Sequence, residues 1–482
     1  SEGGDFYAPY IITSEDNSVI IAWYGTPLNG NFEHIYIQKY SKRGKALWND
    51  GEPIQVNKSS KNNNKYPVLV SDRNKGVCIT WTRYDMESSA SSLDIMLQCL
   101  DSTGAVYPNW VKGGIEVAAE ESVREQYPRI ALMNNGTGIY VMYSEGGIGN
   151  IKLKITLFDL LTGTRAEGWD ESGYIIGKGP YVEPNILKNQ FLFCDEEDNA
   201  IAFWVEWRYT DNGEVYMQRI TPEQNILLQA NGKRIGGNSL KGIGYLEVVK
   251  NEDSDYLLAF NDYSKEYDID ALKVSADGTK IWENTSLTTN GISAYPKPIS
   301  DGNKGMYVFY KYLHSSSNYL YAIAIDSTGN IYNNWTIPGS SFGAIDNFNG
   351  FFPNYDFYPT YVGQNKAIVA WTKPVGGLFE IFTCNLWSNG VNCTDSITNI
   401  KESNEIDKIL VFPNPASNYI TVKLETEHDN IFTIYNLFGQ IVLETLISEK
   451  YNQVDVLHFP NGLYSYTLYN NFTNAFINGK LI

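Results

Sequence analysis

Val19-Ile20-Ile21-Ala22-Trp23, Val77-Cys78-Ile79-Thr80-Trp81 and Ala367-Ile368-Val369-Ala370-Trp371 decide the fold. Each is a short apolar run, rich in β-branched residues, that ends on an aromatic, and each reads as a buried strand. Tyr143, Trp204, Phe260 and Tyr310 close equivalent runs, which makes seven copies. Each copy follows, by 12 to 20 residues, a mark in an earlier short strand: Pro9, Pro67, Pro128, Pro184, Leu246, Pro296 and Pro359. The segments 35–40, 95–100 and 215–220 come after the aromatic and alternate, as strands with one buried face do. Then comes a turn with glycine and a tryptophan, as in Gly104 to Trp110 or Gly329 to Trp335. A last short strand usually follows.

The unit is therefore four strands in 50 to 63 residues, repeated seven times. No such sheet can bury both faces alone, so neighbours must cover one another around an axis. The expected fold class is all-β: a seven-bladed β-propeller over 1–390, a polar linker over 391–408, and a small Ig-like β-sandwich over 409–482. The seventh unit shows no clear fourth strand, and the spacing does not say how the ring closes. Composition agrees. Aromatics make up 14% of the 482 residues, with 35 Tyr, and charged residues only 19%. That balance favours strands and tight turns.

The formal net charge of −18 makes nucleic acid and anionic membranes poor partners, because phosphates are repelled. No run of ~18 apolar residues occurs, so no transmembrane helix is expected. The chain starts at Ser1 without a leader, which reads as a mature terminus after export or as the start of an expressed piece. Of five cysteines, Cys384 and Cys393 flank a short loop and suit a disulfide. Cys78 and Cys99 fall on strands expected to be neighbours, which leaves Cys194 over. There is no Cys-x-x-Cys pair, EF-hand or nonapeptide repeat, so no metal site and no cofactor is expected, although calcium held by loop carboxylates stays open.

The C-terminal stretch carries Phe412-Pro413-Asn414-Pro415-Ala416, then Asn436-Leu437-Phe438-Gly439-Gln440, then Pro460-Asn461-Gly462-Leu463-Tyr464, and Gly479-Lys480 near its end. These motifs, in this order, resemble the type A sorting domain of the type IX secretion system. The resemblance implies passage across the outer membrane and a surface or extracellular location. It also implies partners in the type IX translocon and its cleavage machinery, with Pro413, Asn414, Pro415, Gly439, Gln440, Gly462, Tyr464, Gly479 and Lys480 as the signal. The segments Asp395-Ser396-Ile397, Asp101-Ser102-Thr103 and Asp326-Ser327-Thr328 resemble the short O-glycosylation motif of such bacteria, though the last two read better as turns.

No nucleophile elbow, metalloprotease or phosphate-loop motif is present. His34 and His314 are the propeller's histidines, and neither has the context of a catalytic triad. The turn Ser275 to Trp282 is similar to the repeated sialidase turn but has glycine one place early. The candidate ligand surface is instead the loops after each second strand, which lie on one face of a propeller. They supply Arg83, Tyr84, Asp85, Glu145, Trp207, Arg208, Tyr209, Asp262, Tyr263, Lys311, Tyr312 and Lys373. Aromatic faces beside charged groups suit sugars. Asp85 and Glu145 could also act as an acid–base pair on a glycosidic bond. Arg83 and Arg208 hold equivalent places, which suggests repeated ion pairs between blades. The expected function is a non-enzymatic binding module for glycans or proteins, with a carbohydrate-active enzyme as the alternative.

Overall fold

The structure is a computed structural model. It describes residues 4–481 apart from 29, 59–60, 85–91, 121–122, 147–150, 180–188, 207–212, 237–242, 263–267, 286, 289–291, 314–317, 346–356, 364–365, 376–377, 388–409, 414–417, 425–429, 437–440, 461, 463 and 471–474. Two compact units are present, Ser1–Thr398 and Asn399–Ile482. The only helical turn among the described residues is Asn49–Gly51.

The first unit is a seven-bladed β-propeller built from antiparallel meanders, here sheets I to VII. Sheet I is Gly4–Thr13, Val19–Pro27, His34–Tyr40 and Ile54–Gln55. Sheet II is Asn63–Ser71, Val77–Tyr84, Leu93–Leu100 and Ile115–Ala118. Sheet III is Glu125–Leu132, Gly138–Glu145, Ile151–Asp159 and Tyr174–Gly179. Sheets IV, V and VI begin at Gln190–Cys194, Ile243–Lys250 and Ile292–Ser300. Among the described residues sheet VII has three strands, Phe357–Gly363, Lys366–Val375 and Leu378–Trp387. The sequence mark at Pro184 lies outside the described residues.

First strands pack on first strands of the next sheet from I through to VII, which sets them around the axis. Tyr10 of sheet I shows the consequence. Desolvation by the surrounding protein raises its hydroxyl pKa, and the charges acting on it are Arg129 of sheet III and Glu247 of sheet V. The Tyr-Pro marks gain a physical meaning here. Proline has no N–H for the ladder, so it must sit at an edge or in a bulge. Pairing slips across Lys65/Val68 and across Ala294/Lys297, so Pro67 and Pro296 fall inside bulges. Tyr66, Tyr127 and Tyr295 each take positive φ, of 56°, 64° and 57°. Sheet VII differs, since Pro359 keeps register with Val369.

Six buried clusters fill the six interfaces between consecutive sheets. Trp81 and Ile35 meet between I and II, for example, and Trp204 and Ile155 between III and IV. Among the described residues no such cluster joins VII to I, and Ile11 of sheet I and Val362 of sheet VII are exposed. The turn tryptophans act as latches. Trp48 donates to the Ser102 carbonyl at 2.9 Å, Trp110 to Leu160 at 2.8 Å and Trp169 to Pro222 at 2.8 Å, each on the next sheet. Glycine faces the ring in the next turn: a Cβ on Gly104 would lie 2.8 Å from Trp48. The Asp turns are self-closed, with Asp101 Oδ1 accepting from the Thr103 and Ala105 amides and the Thr103 hydroxyl. Asp326 repeats this with Thr328, so the turn reading of both motifs fits their hydrogen bonds. Residues 395–397 lie outside the described residues.

Cys78 and Cys99 stand opposite each other in register and form a disulfide. Cys384 is also disulfide-bonded, while Cys393 lies outside the described residues. Among the described residues Cys194 is the free thiol, and burial pushes its pKa up to about 11. A thiol held that far above its ordinary range has a thiolate population roughly 100-fold smaller at neutral pH. Native protein should therefore react with a thiol reagent at pH 8 about 100-fold more slowly than the urea-unfolded chain. Equal rates in the two states would contradict the burial.

The second unit packs a three-stranded sheet of Leu410–Phe412, Tyr419–Lys423 and Tyr451–Asp455 with a four-stranded one. The latter orders Ile441–Ile447, Asn430–Tyr435, Tyr464–Asn470 and Ala475–Leu481. Ile420, Val422, Phe432, Ile434 and Leu468 form its own core.

Candidate functional site

Arg83 is the next-to-last residue of its strand, and register places Asp94 directly opposite. Its guanidinium reaches Asp94 Oδ2 at 2.7 Å and Glu116 Oε1 at 2.8 Å. Both partners belong to sheet II, so the expected ion pair between blades is here an ion pair within one blade. Arg208 lies outside the described residues, as do Asp85, Trp207, Tyr209 and Tyr263. Tyr84 ends the same strand as Arg83, and burial raises its hydroxyl pKa, with Tyr66 and Tyr127 close by. Asp262 and Lys311 are buried at the ends of the second strands of V and VI. Lys311 lies 5.5 Å from the Tyr295 ring, and Tyr312 packs on Tyr321 at 5.4 Å. Lys373 pairs with Glu380 in the backbone ladder of sheet VII. His34 is buried, and Asn57 Nδ2 lies 3.0 Å from its Nδ1. That contact is structural.

A cavity of about 450 Å³ opens beside Arg83, lined by Lys58, Asn62, Val111, Gly113 and Glu116 around it. Its floor is Trp81, fully buried, whose Nε1 donates to Asn64 Oδ1 at 2.9 Å. Gly114 takes φ +94°, and a Cβ there would lie 2.6 Å from the Trp81 ring. Glycine is thus required for the chain to cross this face. Gln98, whose Oε1 accepts from the Gly113 and Gly114 amides, holds the crossing down.

A second cluster joins three carboxylates. One oxygen from each of Glu120, Glu125 and Glu145 lies within 4.8 Å of the others. Glu125 opens the first strand of sheet III, and Glu145 ends the second, directly opposite. Lys152 holds Glu145 Oε1 at 3.0 Å, and Lys154 holds Oε2. Glu125 is 1% exposed. Its Oε1 accepts from the Glu120 amide at 3.2 Å, and its Oε2 has no hydrogen-bond partner among the described residues. Burial pushes its pKa up to about 7, opposed by the Glu120 amide and reinforced by the charges of Asp94 and Glu145. Sequence reasoning missed Glu125, because it lies on a first strand and the candidate loops follow second strands. The signal available was its place two residues before the Tyr127-Pro128 mark.

In the second unit the Tyr464 hydroxyl donates to the Pro460 carbonyl at 2.6 Å and its ring packs on Phe459 at 5.3 Å. This ties the Pro-x-Gly-x-Tyr turn shut. Pro413 and Gly462 are exposed, and Gly479 and Lys480 lie on the last strand. Asn414, Pro415, Gly439 and Gln440 lie outside the described residues. Residues 410–482 match the family model described as "Secretion system C-terminal sorting domain". The C-terminal segment is a type IX sorting domain. The sorting domain directs the chain across the outer membrane to the cell surface or beyond, and it engages the type IX machinery to do so. No helix among the described residues is long and apolar enough to cross a membrane.

No curated protein matches the chain. Solved structures similar to it include a polysaccharide lyase, an ulvan lyase bound to -[GlcA(1-4)Rha3S]-, at 11% identity and TM-score 0.47, covering 77% of this chain and 90% of that one. The Dos1 propeller is similar at 10% identity and TM-score 0.37, covering 77% and 76%. A protein of unknown function from Dyadobacter fermentans is similar at 11% identity and TM-score 0.38, covering 66% and 93%.

Proposed function

We propose that the exported propeller is a non-catalytic glycan-binding module, and that its ligand enters the cavity beside Arg83. The observation that carries this reading is the lining. An Arg83–Glu116 pair, the Lys58 ammonium and the Asn62 amide stand around one space of about 450 Å³, with Val111 at 55% exposure on its rim. Sugars are recognised by such convergent donors and acceptors beside an apolar face. Among the other described candidates, Glu145 is paired with Lys152 and Lys154, Lys311 lies beside the Tyr295 ring, Tyr312 packs on Tyr321, and Asp262 is buried.

The second reading, a glycoside hydrolase or lyase, is favoured by one observation, the closeness of Glu125 and Glu145. Against it stand the burial of both side chains and the two lysines on Glu145. The deciding experiment applies the full chain to a glycan array and then incubates it with the bound polysaccharides. Binding without new reducing or unsaturated ends is expected. Val111→Asp, a change at an exposed rim position, should weaken binding about tenfold through loss of the apolar contact. Release of sugar fragments would replace this proposal with the enzyme reading, and unchanged binding by the variant would remove the cavity from it.

A further inference from the structure

We propose that Glu120, Glu125 and Glu145 bind a divalent cation of the calcium type where the sheet II–III connection enters sheet III. The geometry is independent of the glycan cavity. The three residues come from three elements: the connection after Ile115–Ala118, the first residue of Glu125–Leu132 and the last of Gly138–Glu145. Their carboxylate oxygens approach within 4.8 Å of one another, although like charges repel at that range.

The second observation is the Oε2 of Glu125. It is buried in a side chain only 1% exposed, and among the described residues it accepts no hydrogen bond. Native proteins seldom leave such an oxygen without a partner, and a bound ion is one recognised way of serving it. All the donors are hard carboxylate oxygens without nitrogen or sulfur, a set suited to calcium rather than to zinc or copper.

The neighbouring lysines limit the affinity but do not serve this oxygen. Lys152 and Lys154 both reach Glu145, and neither is paired with Glu125. With all three carboxylates ionised, as a bound cation would hold them, the two ammonium groups leave a formal charge of about −1 for the ion to meet. Few net charges give weak sites, so the dissociation constant should fall at ~10⁻⁴–10⁻³ M, the range of extracellular calcium modules. Lys152, with its side chain 31% exposed, is the group free to swing away when the ion enters. The bound ion would fasten the connection to the blade, since ligands on both are held together.

The test uses the full chain after treatment with a chelator, titrated with calcium chloride by calorimetry and followed by thermal melts. One saturable site is expected, with a melting temperature that rises with calcium. Glu120→Gln, at an exposed position that cannot threaten the fold, should weaken binding about tenfold, and Lys152→Met should tighten it by removing a competing charge. Absence of saturation up to about 10 mM would overturn the proposal. So would equal affinity in Glu120→Gln, because that places the ion elsewhere on an acidic surface of net charge −18.

Discussion

Deletion of residues 410–482 abolishes delivery of the propeller beyond the outer membrane, and the remaining chain accumulates on its inner side. The expected loss is complete rather than graded, because the signal is a folded unit and not a charge patch. Ile420, Val422, Phe432 and Ile434 are buried in a core of their own, so the deletion removes the whole recognised surface at once. The propeller has its own clusters and disulfide, which keeps misfolding from mimicking the effect. Fractionation followed by protease treatment of intact cells measures it, and the retained chain should stay protease-resistant after lysis. Surface or extracellular levels of the truncated chain equal to those of the full chain would contradict the assignment. Tyr464→Ala provides a milder version. It opens the Pro460 turn by removing one hydrogen bond and one ring contact, at a cost of about 2–4 kcal/mol to a small unit, and should reduce export in part.

The repeat was legible because the same chemical demands recur in most of the sheets. A proline must find a bulge, a second-strand aromatic must lie under a glycine, and a turn tryptophan must reach the next blade. Even Leu246, standing where proline stands elsewhere, marks the correct strand, and pairing slips there too, between Ile243 and Leu246. Residue pairing was less legible. The sequence assigned Arg83 to the loop after a second strand, whereas it is the next-to-last residue of that strand, and its partner Asp94 becomes visible only once the register of the second and third strands is fixed. The same kind of register brings Glu125 to Glu145, two residues 20 positions apart, whereas the sequence offered Asp85 as the partner on the basis of loop equivalence. Gln98 is instructive in another way. In the sequence it is one polar residue in an alternating strand, and in the fold its buried amide holds two backbone donors that no strand partner reaches. Position along the chain identifies such residues, and only the sheet says what they touch.

Replacing Trp48, Trp110 or Trp169 by alanine should cost about 3–5 kcal/mol each, the largest stability loss expected of any single turn residue. Each buries a large ring between two sheets, and each indole N–H donates to a carbonyl of the following blade. Because a propeller's stability is built from neighbour contacts, the loss falls on one interface and weakens the ring there. Phenylalanine separates the two contributions. It keeps most of the apolar area and deletes the donor, at about 1 kcal/mol beyond the lost volume. Trp282 is the internal control: it packs on Gly329 as Trp48 packs on Gly104, but its Nε1 has no hydrogen-bond partner among the described residues. Trp282→Phe should therefore cost about 1 kcal/mol less than Trp48→Phe in a denaturant titration. Equal costs at the two positions would mean that packing alone holds the blades and the hydrogen bonds contribute nothing to the latch.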